Sequence, residues 1–318
     1  MPLPEAAFKF IIFRIIMNVS VMLDEMRTFV LLSQEGSIQR VAERVRLTQP
    51  AVSRQIQRLE QALGVELLDR RLKPPRLTPA GAEALSRCRQ ILAAYAEMQR
   101  IGARGEPEGL LRVGIAHGLA DDRLAAVVSS LRETFPRVIL QLTAGWSDRL
   151  AENLQRGMLD VVYLLSSSSD RAYLSGSTVL GHEPLAIIAS SDLAHAREYN
   201  AATIASHPWI LNPEPCDARH RLAKVLAPHS RRLNIAAEVQ DARLQIALVR
   251  EGVGFSLMPR RQLRSGHPDG IDEVGVPDLN LILAIEVQRS PHLYNLKPVE
   301  DALTAHFAAL TGDPVRHD

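Results

Sequence analysis

GSIQRVAERVRLTQPAVSRQIQRLEQALG, residues 36–64, contains two apolar stripes at helical spacing with one interruption. Ile38, Val41, Ala42 and Val45 fall at i, i+3, i+4 and i+7, which predicts a short helix with Gln39, Arg40, Glu43 and Arg44 outside. Arg46-Leu47 breaks the pattern, and Thr48 is a suitable N-cap for the next segment. Pro50 sits in a first turn, where its missing N–H costs little. Ala51, Val52, Ile56, Leu59 and Leu63 form the second stripe, and Gly64 is placed to end it.

The outer face of that second helix begins with Gln49, Pro50, Ser53, Arg54 and Gln57. Glutamine pairs bidentately with adenine, arginine with guanine and serine with either, in a major groove wide enough for one helix. The N-terminal end of a recognition helix is the part that reaches bases. Alone, the helix pair also fits a solvated pair in any α-rich domain. The flanks narrow the choice. Met26, Phe29, Val30 and Leu32 mark a preceding helix that supplies a third wall. Val65, Leu67 and Leu68 lead into Asp69-Arg70-Arg71, a tip at Lys73-Pro74-Pro75-Arg76 and then Leu77-Thr78. That is a short hairpin with a basic tip, a wing for phosphate or the minor groove, or else a solvated loop. Thr78-Pro79 opens another helix.

The stretch from Met26 to about Gly81 resembles the winged helix-turn-helix of LysR-type transcriptional regulators, and TQPAVSRQIQRLEQALGVELLDR is very close to that family's pattern. Ile38 and Leu68 depart from it, standing where the family usually has Phe. The resemblance implies DNA contacts from Gln49, Pro50, Ser53 and Arg54, with phosphate contacts from the wing. The candidate DNA-binding set is therefore Thr48, Gln49, Pro50, Ser53, Arg54, Gln57, Arg70, Arg71, Lys73 and Arg76.

The chain has 318 residues and a net charge of +1. The head, residues 24–105, carries +5, and residues 106–318 carry −5, a distribution suited to a head that meets phosphate. Cys88 and Cys216 are too few for a disulfide framework or a metal cluster, so no metal or cofactor is expected. They fit a reducing cytoplasm. Residues 1–23 include FKFIIFRIIMNVSVML, apolar but interrupted by Lys9 and Arg14 and short for a membrane span. We expect a misassigned start or a disordered extension there, with a membrane anchor as the alternative.

From Pro79 to about Arg104 only Gly81 interrupts a long helix. Leu85, Cys88, Leu92 and Tyr95 form a stripe that Ile91, Met98 and Ile101 widen, a candidate dimer seam or a face packed on its own chain. Gly102, Gly105, Pro107 and Gly109 then read as a flexible break.

Beyond it, strands at Leu110–Ile115, Val138–Thr143 and Leu159–Leu165 alternate with helical segments, which predicts a parallel βαβαβ sheet. A second α/β unit follows Ser166–Asp170, with strands at Leu185–Ala189, Trp209–Leu211, Ile235–Val239 and Phe255–Met258. Leu281–Val287 and Leu296–Leu310 read as a last strand and helix. RVGIAHG, PLAIIASSDLAHA, LVREGVGFSLMP and LAIEVQRSP resemble the family's two-lobed, periplasmic-binding-protein-like effector domain. The resemblance implies that the last strand and helix return to the first lobe.

The expected organisation is an α/β protein: an extension (1–23), a winged helix-turn-helix (24–81), a linker and dimerisation helix (79–105) and an effector-binding domain (106–318). Its first lobe takes about 109–165 and 273–318, and its second about 166–272. Ligands of such sheets bind beyond the carboxyl ends of strands. That selects His117, Gly118, Leu119, Trp146, Ser147, Asn212, Pro213, Gly252, Val253 and Gly254. Helices starting near Leu119 and Ser147 would favour an anionic or polar ligand, while Asp121 and Asp122 would oppose a carboxylate. An organic acid and a sugar-like polyol both remain open, and His117 and Trp146 also fit a surface turn and a packing residue.

Cys216 lies near the position where the family's peroxide-sensing branch keeps a reactive cysteine, but Leu222 to His229 contains no partner cysteine, so an ordinary thiol is the reading. GxSxG, HExxH and GxGxxG are absent, which argues against an enzyme. The expected protein is a DNA-binding regulator switched by a small molecule. Its partners are promoter DNA, a second copy of itself in a homodimer or homotetramer, and RNA polymerase.

Overall fold

A computed structural model describes residues 22–72, 74–100, 106–167, 176–230, 232–263 and 268–309. Most of the N-terminal extension, Lys73, Ile101, Gly102, Gly105 and residues 168–170 lie outside that range. The chain divides into two compact units at Gly105/Glu106.

In the first unit, helix α1 spans residues 22–35, α2 Ile38–Val45 and α3 Gln49–Leu63. The break between α2 and α3 has a backbone cause: Arg46 takes a left-handed conformation at φ 56° and ends α2. Thr48 Oγ1 accepts from Ala51 N at 3.4 Å to start α3, and Gly64 ends it at φ 69°. Phe29, Val41, Val52, Ile56, Leu59 and Leu67 are buried in one core. Thr28 Oγ1 donates to Gln55 Oε1 at 2.7 Å, tying α1 to α3.

The wing is an antiparallel pair, β1 (Leu68–Asp69) and β2 (Arg76–Leu77). Helix α4 (Pro79–Arg100) follows. Thr78 serves both sides of this junction. Its Oγ1 accepts from Gly81 N at 2.9 Å and donates to the Glu66 carbonyl at 2.7 Å. The helix thereby passes so close to the wing that a Cβ on Gly81 would stand 2.1 Å from the Leu67 carbonyl oxygen.

The stripe on α4 divides. Leu85 and Cys88 are buried in the core of the head, with Leu92 packed against it. Arg27 lies 5.8 Å from the Tyr95 ring centre, a cation–π approach. Ile91 and Met98 are exposed. Leu85, Cys88, Leu92 and Tyr95, whose stripe fits either a dimer seam or the chain's own core, thus pack on their own chain, the first three in the core of the head and Tyr95 under Arg27.

In the second unit, β3 (Glu108–Ala116), β4 (Arg137–Gly145) and β5 (Val161–Ser166) are parallel, connected through α5 (Arg123–Thr134) and α6 (Ser147–Gln155). Gly109, expected in a flexible break, is a residue of β3 paired with Val138. Strand β6 (Thr178–Ser190) leads to the short helices α7 (Ser191–Ala194) and α8 (Ala201–Ile204), then to β7 (Pro208–Leu211) and α9 (Asp217–Leu226). After them come β8 (Asn234–Glu238), α10 (Ala242–Arg250), β9 (Phe255–Pro259), β10 (Ile271–Glu273), β11 (Ile282–Arg289) and α11 (Lys297–Ala309).

The strand order is β4-β3-β5-β11-β6-β9-β7-β8, with β10 on β6. Strand β11 pairs antiparallel with both β5 and β6 and so links the two halves of the unit. Helix α11 returns beside β5: Tyr163 stacks on Phe307 at 4.0 Å, and its hydroxyl meets Thr304 Oγ1 at 2.8 Å. No helix among the described residues is long and apolar enough to cross a membrane.

Gly81→Ala should destabilise the first unit by about 1–3 kcal/mol or more, the range for overpacking, because the contact is with a backbone that cannot yield. Urea unfolding followed by helical circular dichroism measures this, and a loss below about 0.5 kcal/mol would show that the junction is loose.

Candidate functional site

On α3, Thr48, Gln49, Pro50, Arg54 and Gln57 are exposed and Ser53 is half-buried. Val52, Ile56 and Leu59 hold the opposite face in the core. The polar face is therefore presented by a rigid helix. Gln49, Arg54 and Gln57 have no hydrogen-bond partner among the described residues and keep their donors and acceptors available.

The wing cations differ from one another. Arg70 donates to Glu60 Oε2 at 2.7 Å, and Arg71 grips Asp69 with Nε and Nη2, both at 2.9 Å. Arg76 is exposed and has no ion-pair partner among the described residues. Arg70 and Arg71 are thus partly neutralised in place, a feature that a count of basic residues does not reveal. Lys73 lies outside the described residues.

Glu60 organises this corner. It is a buried carboxylate on α3 that accepts from Leu67 N at 2.9 Å and Leu68 N at 3.3 Å in addition to Arg70. It fixes the wing to the exposed helix. Sequence reading passed over it because a glutamate on a polar helix looks like solvated surface; the signal available was its place beside the apolar face, one residue after Leu59. Glu60→Ala should cost about 1.5–3 kcal/mol, as for hydrogen bonds to a charged group, and loosen the hairpin. Amide exchange at Leu67 and Leu68 is the direct readout; protection unchanged there would refute the role.

In the second unit a small cavity of about 50 Å³ lies where the ends of β3, β4, β5 and β9 meet the start of α9. His117, Gly118, Trp146, Ser147 and Asn212 all line it. Cys216, Asp217, Leu257, Pro259 and Leu283 complete much of the wall. The His117 and Trp146 rings meet edge to face, with centres 4.9 Å apart. Ser147 Oγ is already used, donating to the Leu165 carbonyl at 2.8 Å and accepting from Leu165 N at 3.1 Å.

Five expected residues lie elsewhere. Leu119 is fully buried in the core as part of a three-residue turn, so α5 starts only at Arg123. Pro213 follows Asn212 without reaching the wall. Gly252, Val253 and Gly254 precede β9, and the Gly254 backbone packs on the Pro208 carbonyl at the start of β7. They mark the amino ends of two parallel strands, whereas the cavity lies at the carboxyl end, where Pro259 emerges. A glycine-rich turn shows that the chain reverses but not at which sheet edge.

The electrostatics also differ from expectation. Asp121 does not face the cavity as a free charge. Arg123 Nη2 binds it closely and Arg261 Nε lies at 3.0 Å, and these guanidiniums hold its carboxyl below the usual range despite burial. Burial lowers the His117 pKa. Gln240 Nε2 lies 3.4 Å from His117 Nε2, a donor facing a nitrogen that accepts only in the neutral ring. Burial raises the Cys216 thiol, against a reactive thiolate.

A histidine with a depressed pKa leaves the folded state binding fewer protons than the unfolded one. Its contribution is complete above the ordinary histidine value, roughly 6.5, and is lost as pH falls through the folded value. Stability should therefore drop as pH falls below about 6.5, the ordinary histidine value, and His117→Asn should shrink that drop. Thermal melts above and below that value test it; equal slopes for both proteins would remove His117 as a source.

Comparison with known proteins places these features in context. Residues 23–82 match the family described as bacterial regulatory helix-turn-helix protein, lysR family. Residues 104–300 match the LysR substrate binding domain. The transcriptional regulator AlsR of Bacillus subtilis is 28% identical over 248 residues, covering 74% of this chain and 80% of AlsR. A full-length OxyR variant from Pseudomonas aeruginosa superposes with a TM-score of 0.72 at 20% identity, covering 91% of this chain and 95% of that one. Full-length CbnR in complex with its target DNA gives a TM-score of 0.57 at 22% identity, covering 88% and 99%. With both segments matched across most of its length, this chain belongs to the LysR family of transcriptional regulators.

Proposed function

We propose that α3 enters the major groove of promoter DNA and reads bases through Gln49, Ser53, Arg54 and Gln57, with Thr48 and Pro50 at its leading end. The observation that carries this reading is the exposed, unpartnered polar face on a helix whose other face is fully buried. Arg76 and Lys73 supply cations to the phosphates, and Arg70 and Arg71 add a weaker field from within their ion pairs. Family membership supports duplex DNA as the partner.

The cavity by His117 and Trp146 is the effector site. At about 50 Å³ it is far below the roughly 300 Å³ of an ordinary small-molecule pocket. An effector therefore enters only as the walls move apart, so its binding energy is coupled to lobe movement. Among the described residues its lining carries no arginine or lysine, which favours a neutral or polyol ligand over a strongly acidic one.

Residues 24–81, with the start of α4 completing their core, form the reading head and 106–318 the sensor in this scheme. Copies pair through the exposed side of α4, Ile91 and Met98, into dimers and tetramers, and lobe movement changes head spacing and access for RNA polymerase. The protein works in the cytoplasm, where its DNA is, and as a non-enzymatic switch.

Arg54→Ala should cost about 1–3 kcal/mol on the operator and relax base preference, whereas Arg76→Ala should weaken all sequences alike and reduce the salt slope by about 1. Fluorescence anisotropy on operator and random duplexes at several salt concentrations separates the two, and equal losses for Arg54→Ala on both duplexes would sink the base-reading role.

A further inference from the structure

Strands β5, β11 and β6 run side by side through the middle of the sheet, and alternation divides their residues between two faces. Leu165 and Leu283 line the effector cavity. Ser166, His182, Ala284 and Glu286 line a different cavity, of about 440 Å³, together with Ser167, Val179, Arg221, Asn280 and Ile282.

Glu286 gives this second cavity its character. It is 4% exposed and accepts from the hydroxyls of Ser166 and Ser177. No lysine, arginine or histidine lies within ion-pair distance of it among the described residues. A carboxylate buried with neutral partners alone is costly, and a cation brought to it relieves that cost. Side chains of the opposite sign line the same cavity. Arg221 donates from Nε at 3.2 Å and Nη2 at 2.8 Å to the Asn280 carbonyl, leaving Nη1 without a partner among the described residues. His182 is exposed beside it. One cavity is thus lined by an acid with no ion pair among the described residues and by two basic side chains, and its volume of about 440 Å³ is within the size range of small organic ligands.

We infer that this cavity is a second binding site, for a small zwitterion: an α-amino acid whose ammonium meets Glu286 and whose carboxylate meets Arg221 and His182. Helix α9 borders both cavities, because Arg221 lies one helical turn after Asp217, a lining residue of the effector cavity.

Thermal shift of the full chain with each of the twenty amino acids at about 10 mM, alongside the matching acids that lack the amine, tests the site. At least one amino acid should raise Tm by about 2 °C or more, and its des-amino counterpart should not. Glu286→Gln should abolish the shift. So should Val179→Trp, which fills the cavity from an exposed position and leaves Glu286 intact, so that it decides the matter if Glu286→Gln does not fold. Trp146→Ala, in the effector cavity, should keep the shift. No stabilising amino acid, a shift that survives Val179→Trp, or a shift lost only in Trp146→Ala overturns the proposal. The last outcome assigns the ligand to the effector cavity and leaves the regulator reading standing.

Discussion

Strand β11 forms its hydrogen bonds on both edges, to β5 on one side and β6 on the other, although it comes late in the chain. The two halves of the sensor unit therefore share one sheet. The last helix can return to the first half because β11 carries the chain back there. The cavity by His117 and Trp146 and the cavity at Glu286 both use this strand, one on the face of Leu283 and the other on the face of Glu286. Asp121 and Arg261 add a second tie between the segments after β3 and β9. Breaking such a buried pair leaves charge uncompensated, so the tie favours concerted movement over local fraying.

In the reading head the corresponding constraint is electrostatic. Glu60 holds two backbone amides and one guanidinium at the base of the hairpin, so the exposed face of α3 and the basic tip keep one geometry. The same carboxylate reduces the charge that Arg70 offers.

The parts legible in the sequence are those set by neighbouring residues. Helices α2 and α3, their caps at Thr48 and Gly64, and the parallel β3, β4 and β5 follow from apolar spacing and turn chemistry. Five cavity residues, His117, Gly118, Trp146, Ser147 and Asn212, followed from strand ends. The parts missed depend on distant partners. Nothing near Glu60 announces that it binds amides seven and eight residues on. Gly252–Gly254 looked like a ligand turn because a sequence does not say which end of a parallel strand faces the cleft. The stripe on α4 has the same spacing whether α1 or a second copy covers it.

That stripe also determines where the chain can be divided. Leu85, Cys88 and Leu92 complete the apolar interior around Phe29, so the reading head does not end with its hairpin. A fragment stopped at Gly81 would leave one side of that interior open to water, with the loss of side chains that elsewhere cost several kcal/mol each. The start of α4 and the head are one folding unit, so a displacement of α4 acts directly on the hydrophobic centre of the head.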